Sequence, residues 1–325
     1  STVGRSADWL LASYNNQKTE QSSNPYLNFE SLVGPISLDD EDYTGIYGKK
    51  GTAINSFLVA HSGSGSFSAS GLSGTGLSIN SATGVITGTP LQSGSTNITI
   101  TATGTTAGGG TVTVTKAYTI QISDPSSFPF SVNLTLSGYT GSSTLTDFPV
   151  LVSLSTSITG FSYNGYLDSD GDGVRTGEDL RFYSSNGKEL AYEIADWNTS
   201  GTSNIWVKAP AISGNNTVIT AVWGKTGIDT TPDYATNDPV WNNDFQGVWH
   251  FGATSTTFPD SSPNGNHATK NSVGETNAGQ VGKAATFSGS EFADVAYSEL
   301  VNTDKFTITI WAKRGSGTGH AAPYS

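Results

Sequence analysis

Apolar and polar residues alternate over much of this chain, which is the pattern of half-buried β-strands. The alternation is clearest in Asn97–Ala102 and Thr111–Thr115, which flank a turn at Gly108-Gly109-Gly110. Valine, isoleucine and threonine fill these segments, and β-branched side chains pack well on a pleated surface. The two segments therefore predict an antiparallel hairpin inside a β block that runs from about Thr44 to Asp124.

Two further β blocks follow after Asp124-Pro125-Ser126-Ser127, a sequence typical of a boundary. The strands predicted in the second block are Val132–Leu136, Pro149–Leu154, Leu180–Tyr183, Ile205–Lys208 and Val218–Trp223. A third block begins at Gly247 and contains the apolar strand Phe306–Trp311. The pattern predicts an all-β fold of tandem β-sandwiches over residues 45–124, 128–225 and 247–325, with a connection at 226–246.

The first residues differ from this pattern. Ala7, Leu10, Leu11 and Tyr14 lie at i, i+3, i+4 and i+7, and Ser6 is placed to cap a helix. One short amphipathic helix is therefore predicted within residues 1–17, followed by a linker at 18–44. A helix this short is barely stable alone in water, so its apolar face needs a partner.

Composition narrows the classes of function. The net charge is −12 with no basic patch, so neither nucleic acid nor an anionic membrane surface is an expected partner. No apolar run approaches the ~20 residues of a membrane span. Cysteine is absent, so stability must come from packing, metal ions or contacts between modules. Thin sandwich cores fit the low hydrophobic content of 35%.

The strongest local motif is an acidic loop at residues 168–179. Oxygen-bearing residues at positions 1, 3 and 5, a glycine at 6 and an acid at 12 match the spacing of a calcium-binding loop. The predicted calcium ligands are Asp168, Asp170, Asp172, Val174 through its carbonyl, Thr176 and Asp179. Aspartate rather than glutamate at position 12 resembles dockerin-like loops. The alternative is a solvated acidic loop without an ion.

Catalytic arrangements are not predicted. Glu189 and Glu193 would lie about 13 Å apart on one strand at ~3.3 Å per residue, too far for a glycosidase pair. Glu193 and Asp196 would face opposite sides. The four histidines lie in different blocks and indicate no zinc site: His61, His250, His267 and His320.

The seven tryptophans raise the question of carbohydrate binding, since an exposed indole can stack on a sugar ring. Four lie in apolar strands and are predicted to be core residues: Trp206, Trp223, Trp249 and Trp311. Trp197 and Trp241 lie in polar contexts and are the candidates for glycan stacking, with core packing as the alternative.

Three segments resemble known modules. Residues Phe67–Leu72 and Gly76–Asn80, with the Gly88-Thr89-Pro90 corner, resemble the Ig-like (cadherin-like) modules of bacterial surface proteins. Residues 128–225, through Asp179–Phe182 and Glu189–Ile194, resemble a bacterial β-sandwich domain of unknown function. Residues 247–325, through Val248–Phe251 and Asp260–His267, resemble the first part of a laminin-G/concanavalin-A-like sandwich.

The third resemblance implies two more features. Laminin-G-like modules often bind calcium near the sandwich rim, which makes Asp260, Asn264 and Asn266 candidate ligands. The alternative is that these side chains bond the local backbone in Asx turns. Arg5–Trp9 is similar to the closing helix of such a module, which would make residues 1–17 the end of a preceding copy.

Together the resemblances imply a structural and adhesive segment of a large extracellular or cell-surface repeat protein, rigidified by calcium and without enzyme activity. The expected partners are other modules of the same or identical chains, and glycans or cell-surface polysaccharide. The alternative is a carbohydrate-binding accessory region of a secreted polysaccharide-degrading enzyme. A self-polymerising filament subunit is a third possibility.

Overall fold

The computed structural model confirms the all-β prediction. It describes residues 36–38, 46–59, 61–62, 64–106, 109–163, 177–228, 232, 235, 239–242, 244–252, 256–295 and 307–313. The helical segments that are fully described are single 3₁₀ turns at Pro125–Ser127, Gly214–Asn216 and Pro239–Trp241. No helix in these ranges is long and apolar enough to cross a membrane.

The first unit contains two sheets around one core. A four-stranded sheet has the order β2-β9-β8-β5, in which β2 runs parallel to β9 and the other pairs are antiparallel. Its strands are β2 (Ile46–Lys49), β5 (Gly65–Ser70), β8 (Gly94–Thr105) and β9 (Thr111–Ser123). The facing sheet, β3-β7-β6, contains β3 (Phe57–Leu58), β6 (Leu77–Ile79) and β7 (Val85–Gly88). A short pair joins β1 (Ser37–Leu38) to β4 (His61–Ser62).

The alternation along β8 explains this packing. Ile98 and Ile100 are buried against Ile86 of the other sheet, while Thr99 between them is exposed. The predicted hairpin of β8 and β9 is confirmed, since the two strands pair antiparallel along their length. Successive residues of a strand point to opposite faces, so threonine and isoleucine separate cleanly between solvent and core.

The second unit is a pair of three-stranded antiparallel sheets. One sheet has the order β10-β15-β12, with β10 (Phe130–Leu136), β12 (Arg181–Ser184) and β15 (Thr217–Trp223). The other has the order β11-β14-β13, with β11 (Leu145–Leu154), β13 (Tyr192–Asp196) and β14 (Ser203–Ile212). The strands predicted in this block are confirmed, with shifts of a few residues at their ends.

A buried aromatic core joins these two sheets. Trp223 of one sheet is fully buried, as predicted, and its ring lies 5.1 Å from that of Phe161. Tyr192 of the other sheet is also fully buried, and its hydroxyl donates to the carbonyl of Leu180 at 2.7 Å. Because buried polar atoms destabilise a core unless they are paired, this hydrogen bond lets a tyrosine occupy the interior.

The third unit is smaller. Its described strands are β16 (Thr257–Phe258), β17 (Ala268–Asn271), β18 (Gly274–Thr276), β19 (Ala284–Thr286) and β20 (Phe292–Val295). They form a sheet β16-β17-β20 and a pair β18-β19 around Phe258, Ala268 and Val273.

The strand predicted at Phe306–Trp311 is wrong over its described part. Residues 307–313 lie in no strand, and Trp311 is 76% exposed rather than in a core. An alternating segment becomes a strand only when a neighbouring strand supplies hydrogen bonds and a core covers its apolar face. None of the described strands pairs with these residues. The predicted helix within residues 1–17 lies outside the described residues.

Candidate functional site

The candidate site lies on the outer face of the second unit, at Glu193. Tyr192 of β13 points into the core, so its neighbour Glu193 points outward. Glu193 pairs in register with Trp206 of β14. The two side chains therefore lie beside each other on the outer surface of this sheet.

The segment that follows the sandwich folds back across this face. The 3₁₀ turn Pro239–Trp241 places the ring of Trp241 5.1 Å from that of Trp206, in an edge-to-face arrangement. His250 stacks on Trp206, with ring centroids 5.9 Å apart and planes at 19°. Lys208 donates a hydrogen bond to the side-chain oxygen of Asn242. The predicted connection 226–246 is thus packed onto the sheet where it is described.

The carboxylate of Glu193 contacts three side chains from later parts of the chain. Its Oε2 accepts from Trp241 Nε1 at 2.5 Å and lies 3.2 Å from His250 Nε2. Its Oε1 accepts from Ser261 Oγ at 2.5 Å. These partners are 48, 57 and 68 residues away in sequence. We call Glu193, Trp206, Trp241, His250 and Ser261 the Glu193 cluster.

The electrostatics favour an ionised carboxylate. Burial by itself raises the pKa of Glu193, but hydrogen bonds from His250, Ser261 and Trp241 and the nearby imidazole outweigh it and hold the pKa below its ordinary value. Hydrogen bonds to a charged acceptor are stronger than those between neutral groups. In a Ser-His-acid triad the histidine lies between nucleophile and acid, whereas here the carboxylate lies between serine and histidine. The cluster therefore does not have the order of a Ser-His-acid triad, and its contacts link separate parts of the chain.

Beside Ser261, a buried carboxylate organises the loop of residues 260–267. Asp260 is 4% exposed. Its Oδ1 accepts from the backbone N–H groups of Val248 and Ser262 at 2.7 and 2.8 Å. Its Oδ2 accepts from the Ser262 hydroxyl and the Asn266 N–H, both at 2.8 Å. Asp260 therefore ties this loop to the start of the third unit.

Comparison with known proteins covers one part of the chain. Residues 176–255 match a domain of unknown function, DUF2341. This segment contains Glu193, Trp206, Trp241 and His250 and ends before Ser261. It overlaps the stretch that resembles a bacterial sandwich of unknown function, so that resemblance is confirmed at this level. The Ig-like and laminin-G-like resemblances stay predictions.

Part of the chain is also similar to a solved structure. A solved structure of a protein described as an alpha-galactosidase from Bacteroides fragilis is 24% identical over 30% of this chain, with a TM-score of 0.23. The match spans 19% of that chain. A search of curated proteins found no match.

The predicted calcium loop at 168–179, which overlaps the DUF2341 segment only from residue 176, is described only at its last ligand. Asp179 is fully buried, and its Oδ2 accepts from the N–H of Gly224 at 2.6 Å. The other five predicted ligands lie outside the described residues: Asp168, Asp170, Asp172, Val174 and Thr176. Calcium binding therefore stays a prediction, and Asp179 also has a role in joining β12 to the end of β15.

The second predicted calcium site consists of Asp260, Asn264 and Asn266. Their side chains instead form hydrogen bonds to the nearby backbone, as in the Asx-turn alternative. Besides the four bonds to Asp260, Asn264 Nδ2 donates to the carbonyls of Phe245 and Gln246 at 2.9 and 3.4 Å. Asn266 Nδ2 donates to Gln246 at 2.8 Å. A cation bound by Asp260 would have to displace backbone donors. In the described part of the chain, no group of three or more acidic or histidine side chains is arranged to hold a metal.

The predicted glycan-stacking tryptophans are packed. Trp241 is 6% exposed, with its ring between Trp206, Phe245 and His250. Trp197 packs edge-to-face on Tyr163, with centroids 5.6 Å apart. Stacking on a sugar needs an open ring face, which Trp241 does not offer. Its indole N–H is paired with the Glu193 carboxylate.

The expectation that Glu189 and Glu193 share one strand is wrong, because β13 begins at Tyr192. Glu189 instead bridges to Tyr183 and lies 3.5 Å from the guanidinium of Arg181. His250 and Ser261 carry no sequence signal that connects them to Glu193.

A second contact region joins the first unit to the DUF2341 segment. Gly187, in the turn after β12, has φ +89°, and a Cβ there would lie 2.5 Å from the carbonyl oxygen of Gly48. Lys188 Nζ lies 5.3 Å from the ring centroid of Tyr47. Glycine is required at 187 both by the backbone conformation and by this close approach. The first and second units are thus in backbone-to-backbone contact.

Proposed function

We propose that this chain is a structural and adhesive segment of a large extracellular or cell-surface repeat protein, in which successive β-sandwiches are fixed against one another. The Glu193 cluster carries the proposal. One half-buried carboxylate of the second unit binds the connection 226–246 through Trp241 and the third unit through His250 and Ser261. A flexible linker would leave these side chains in solvent.

The contact between the first and second units supports the same role. Gly187 meets Gly48, and Lys50 forms an ion pair with Asp124 at 3.2 Å, at the boundary between the units. The chain has no cysteine, so these non-covalent contacts replace disulfides as the restraint on bending. In this role the chain has no enzyme activity, and its partners are neighbouring modules and surface glycans.

Rigidity of the junction can be tested by distance measurement. Because the chain has no cysteine, two introduced cysteines can carry spin labels without background. We expect labels at Ser131 and Thr269, both exposed and on either side of the Glu193 cluster, to give a distance distribution as narrow as a control pair within the second unit at Ser131 and Ser153. A much broader distribution across the junction would overturn the proposal.

Calcium is the second element of the proposal. Crowded carboxylates at residues 168–179 repel one another unless a cation neutralises them. We expect millimolar calcium to raise the melting temperature of the full chain by several degrees, and chelator or the double substitution Asp170→Ala/Asp172→Ala to abolish the rise. An equal melting temperature with calcium and with chelator would remove calcium from the proposed function and leave the junctions as its only support.

A further inference from the structure

An Asn-Gly step lies where the third unit is tied to the connecting segment. Asn264 and Gly265 are both exposed, and Gly265 has φ +66°. The side-chain amide of Asn264 donates to the carbonyls of Phe245 and Gln246. This amide nitrogen is therefore part of the junction, and asparagine is a thermolabile residue.

We propose that Asn264 is a site of spontaneous deamidation, and that the reaction releases this tie. The main-chain nitrogen of Gly265 attacks Cγ of Asn264, the new C–N bond closes a five-membered imide, and the Cγ–Nδ2 bond breaks. The nitrogen leaves as ammonia, taking the proton lost by Gly265. Water then opens the imide to aspartate or isoaspartate. Water is the only co-reactant, and nothing is oxidised or reduced.

The chain has two other Asn-Gly steps, Asn164-Gly165, which lies outside the described residues, and Asn186-Gly187, from which the structure distinguishes Asn264. The N–H of Gly265 has a long contact of 3.4 Å to the carbonyl of Ser262, and the residue is open to solvent. The N–H of Gly187 is bonded to the carbonyl of Ser184 at 3.0 Å, and Gly187 is buried against Gly48. Attack requires the glycine nitrogen to lose its proton to solvent base. Asn264 therefore reacts faster than Asn186.

The product cannot restore the tie. A carboxylate at 264 has no N–H to donate and places negative charge opposite the carbonyl oxygens of Phe245 and Gln246. Isoaspartate also adds a methylene to the main chain of a loop whose N–H groups converge on Asp260. Loss of the tie loosens the attachment of the third unit. This consequence rests on the proposed function, whereas the reaction itself does not.

The reaction is tested by incubating the full chain at mildly alkaline pH and mapping its peptides by mass spectrometry in ¹⁸O-labelled water. We expect the peptide with Asn264 to take up label several-fold faster than the peptide with Asn186. In denaturant the two rates should converge, because both steps are then unstructured Asn-Gly. Equal rates in the folded chain, or faster labelling at Asn186, would overturn the assignment.

The consequence is tested by the spin-label pair at Ser131 and Thr269. Asn264→Asp imitates one product of deamidation. Asn264→Gln keeps the side-chain amide, but its deamidation would require a larger and less favourable imide ring. We expect ageing to broaden the distance distribution of the parent chain, Asn264→Asp to be broad from the start, and Asn264→Gln to stay narrow with age. Labelling at Asn264 with no broadening would refute the release of the junction. A distribution already broad before ageing would instead refute the proposed rigidity.

Discussion

Glu193→Gln removes the charge of the clamp and keeps its shape. The carboxylate uses both oxygens, with Trp241 and His250 at Oε2 and Ser261 at Oε1. Glutamine has one acceptor oxygen, so it can accept either from Trp241 and His250 or from Ser261. Its N–H₂ group then points toward the partner or partners on the other side. At least one partner then faces a donor instead of an acceptor.

The magnitude follows from these contacts. A hydrogen bond to a charged group contributes about 1.5–3 kcal/mol, and an unpaired buried donor costs a similar amount. The Glu193 side chain is 25% exposed, so water compensates part of the loss. We expect Glu193→Gln to lower the free energy of opening of the junction by about 2–3 kcal/mol. The matched control, Glu189→Gln, affects a side chain that is 37% exposed and should cost less than about 1 kcal/mol.

Native-state hydrogen exchange measures this directly, because it reports local opening as well as global unfolding. We expect faster exchange in residues 239–252 of Glu193→Gln and little change in β8 and β9 of the first unit. If exchange in 239–252 were the same in Glu193→Gln and Glu189→Gln, the Glu193 cluster would not hold the junction. Uniform acceleration across all units would also contradict a local role of Glu193 at the junction.

The pH dependence gives a further check on the same group. Because the pKa of Glu193 is lower in the folded chain than its ordinary 4.5, its contribution is complete above that value. The contribution is lost as pH falls through the folded pKa. Protection of residues 239–252 should therefore decline on acidification in the parent chain and change much less in Glu193→Gln. Parallel decline in both chains would assign the effect to other groups.

Two other substitutions test the contact between the first and second units and the loop of residues 260–267. Gly187→Ala forces a side chain into a left-handed conformation and against Gly48, and should cost about 2–3 kcal/mol by urea unfolding. The control Gly214→Ala has φ +67° and open space around the added Cβ, so it should cost only about 1 kcal/mol. Equal losses of stability in the two variants would contradict the close approach of Gly187 to Gly48. Asp260→Ala leaves three backbone N–H groups without their acceptor, so residues 256–271 should lose exchange protection by about 3 kcal/mol with or without calcium. Calcium that raises the protection of these residues in the parent chain and has no such effect in Asp260→Ala would instead favour the metal site.

The fold class and most of the strand positions are predictable from the amino-acid sequence. The alternation of threonine with isoleucine in β8 can place its apolar side chains on one core only if the segment is a strand. The same period orients Tyr192 inward and Glu193 outward. Such assignments follow from local sequence because side-chain direction along a strand depends only on position.

The contacts of the junction depend on residues that are far apart in sequence and meet only in the folded chain. Trp241 has a polar sequence context that suggests exposure, yet it is buried, because the carboxylate of Glu193 satisfies its indole N–H from 48 residues away. The strand predicted at 306–311 fails for the converse reason: its pattern is right, but among the described strands none pairs with it. The alternation of apolar and polar residues indicates which face of a segment is apolar. The strand that pairs with the segment and the core that covers its apolar face come from residues distant in the chain. The Glu193 cluster depends on those distant residues, so it was visible only once the chain was folded.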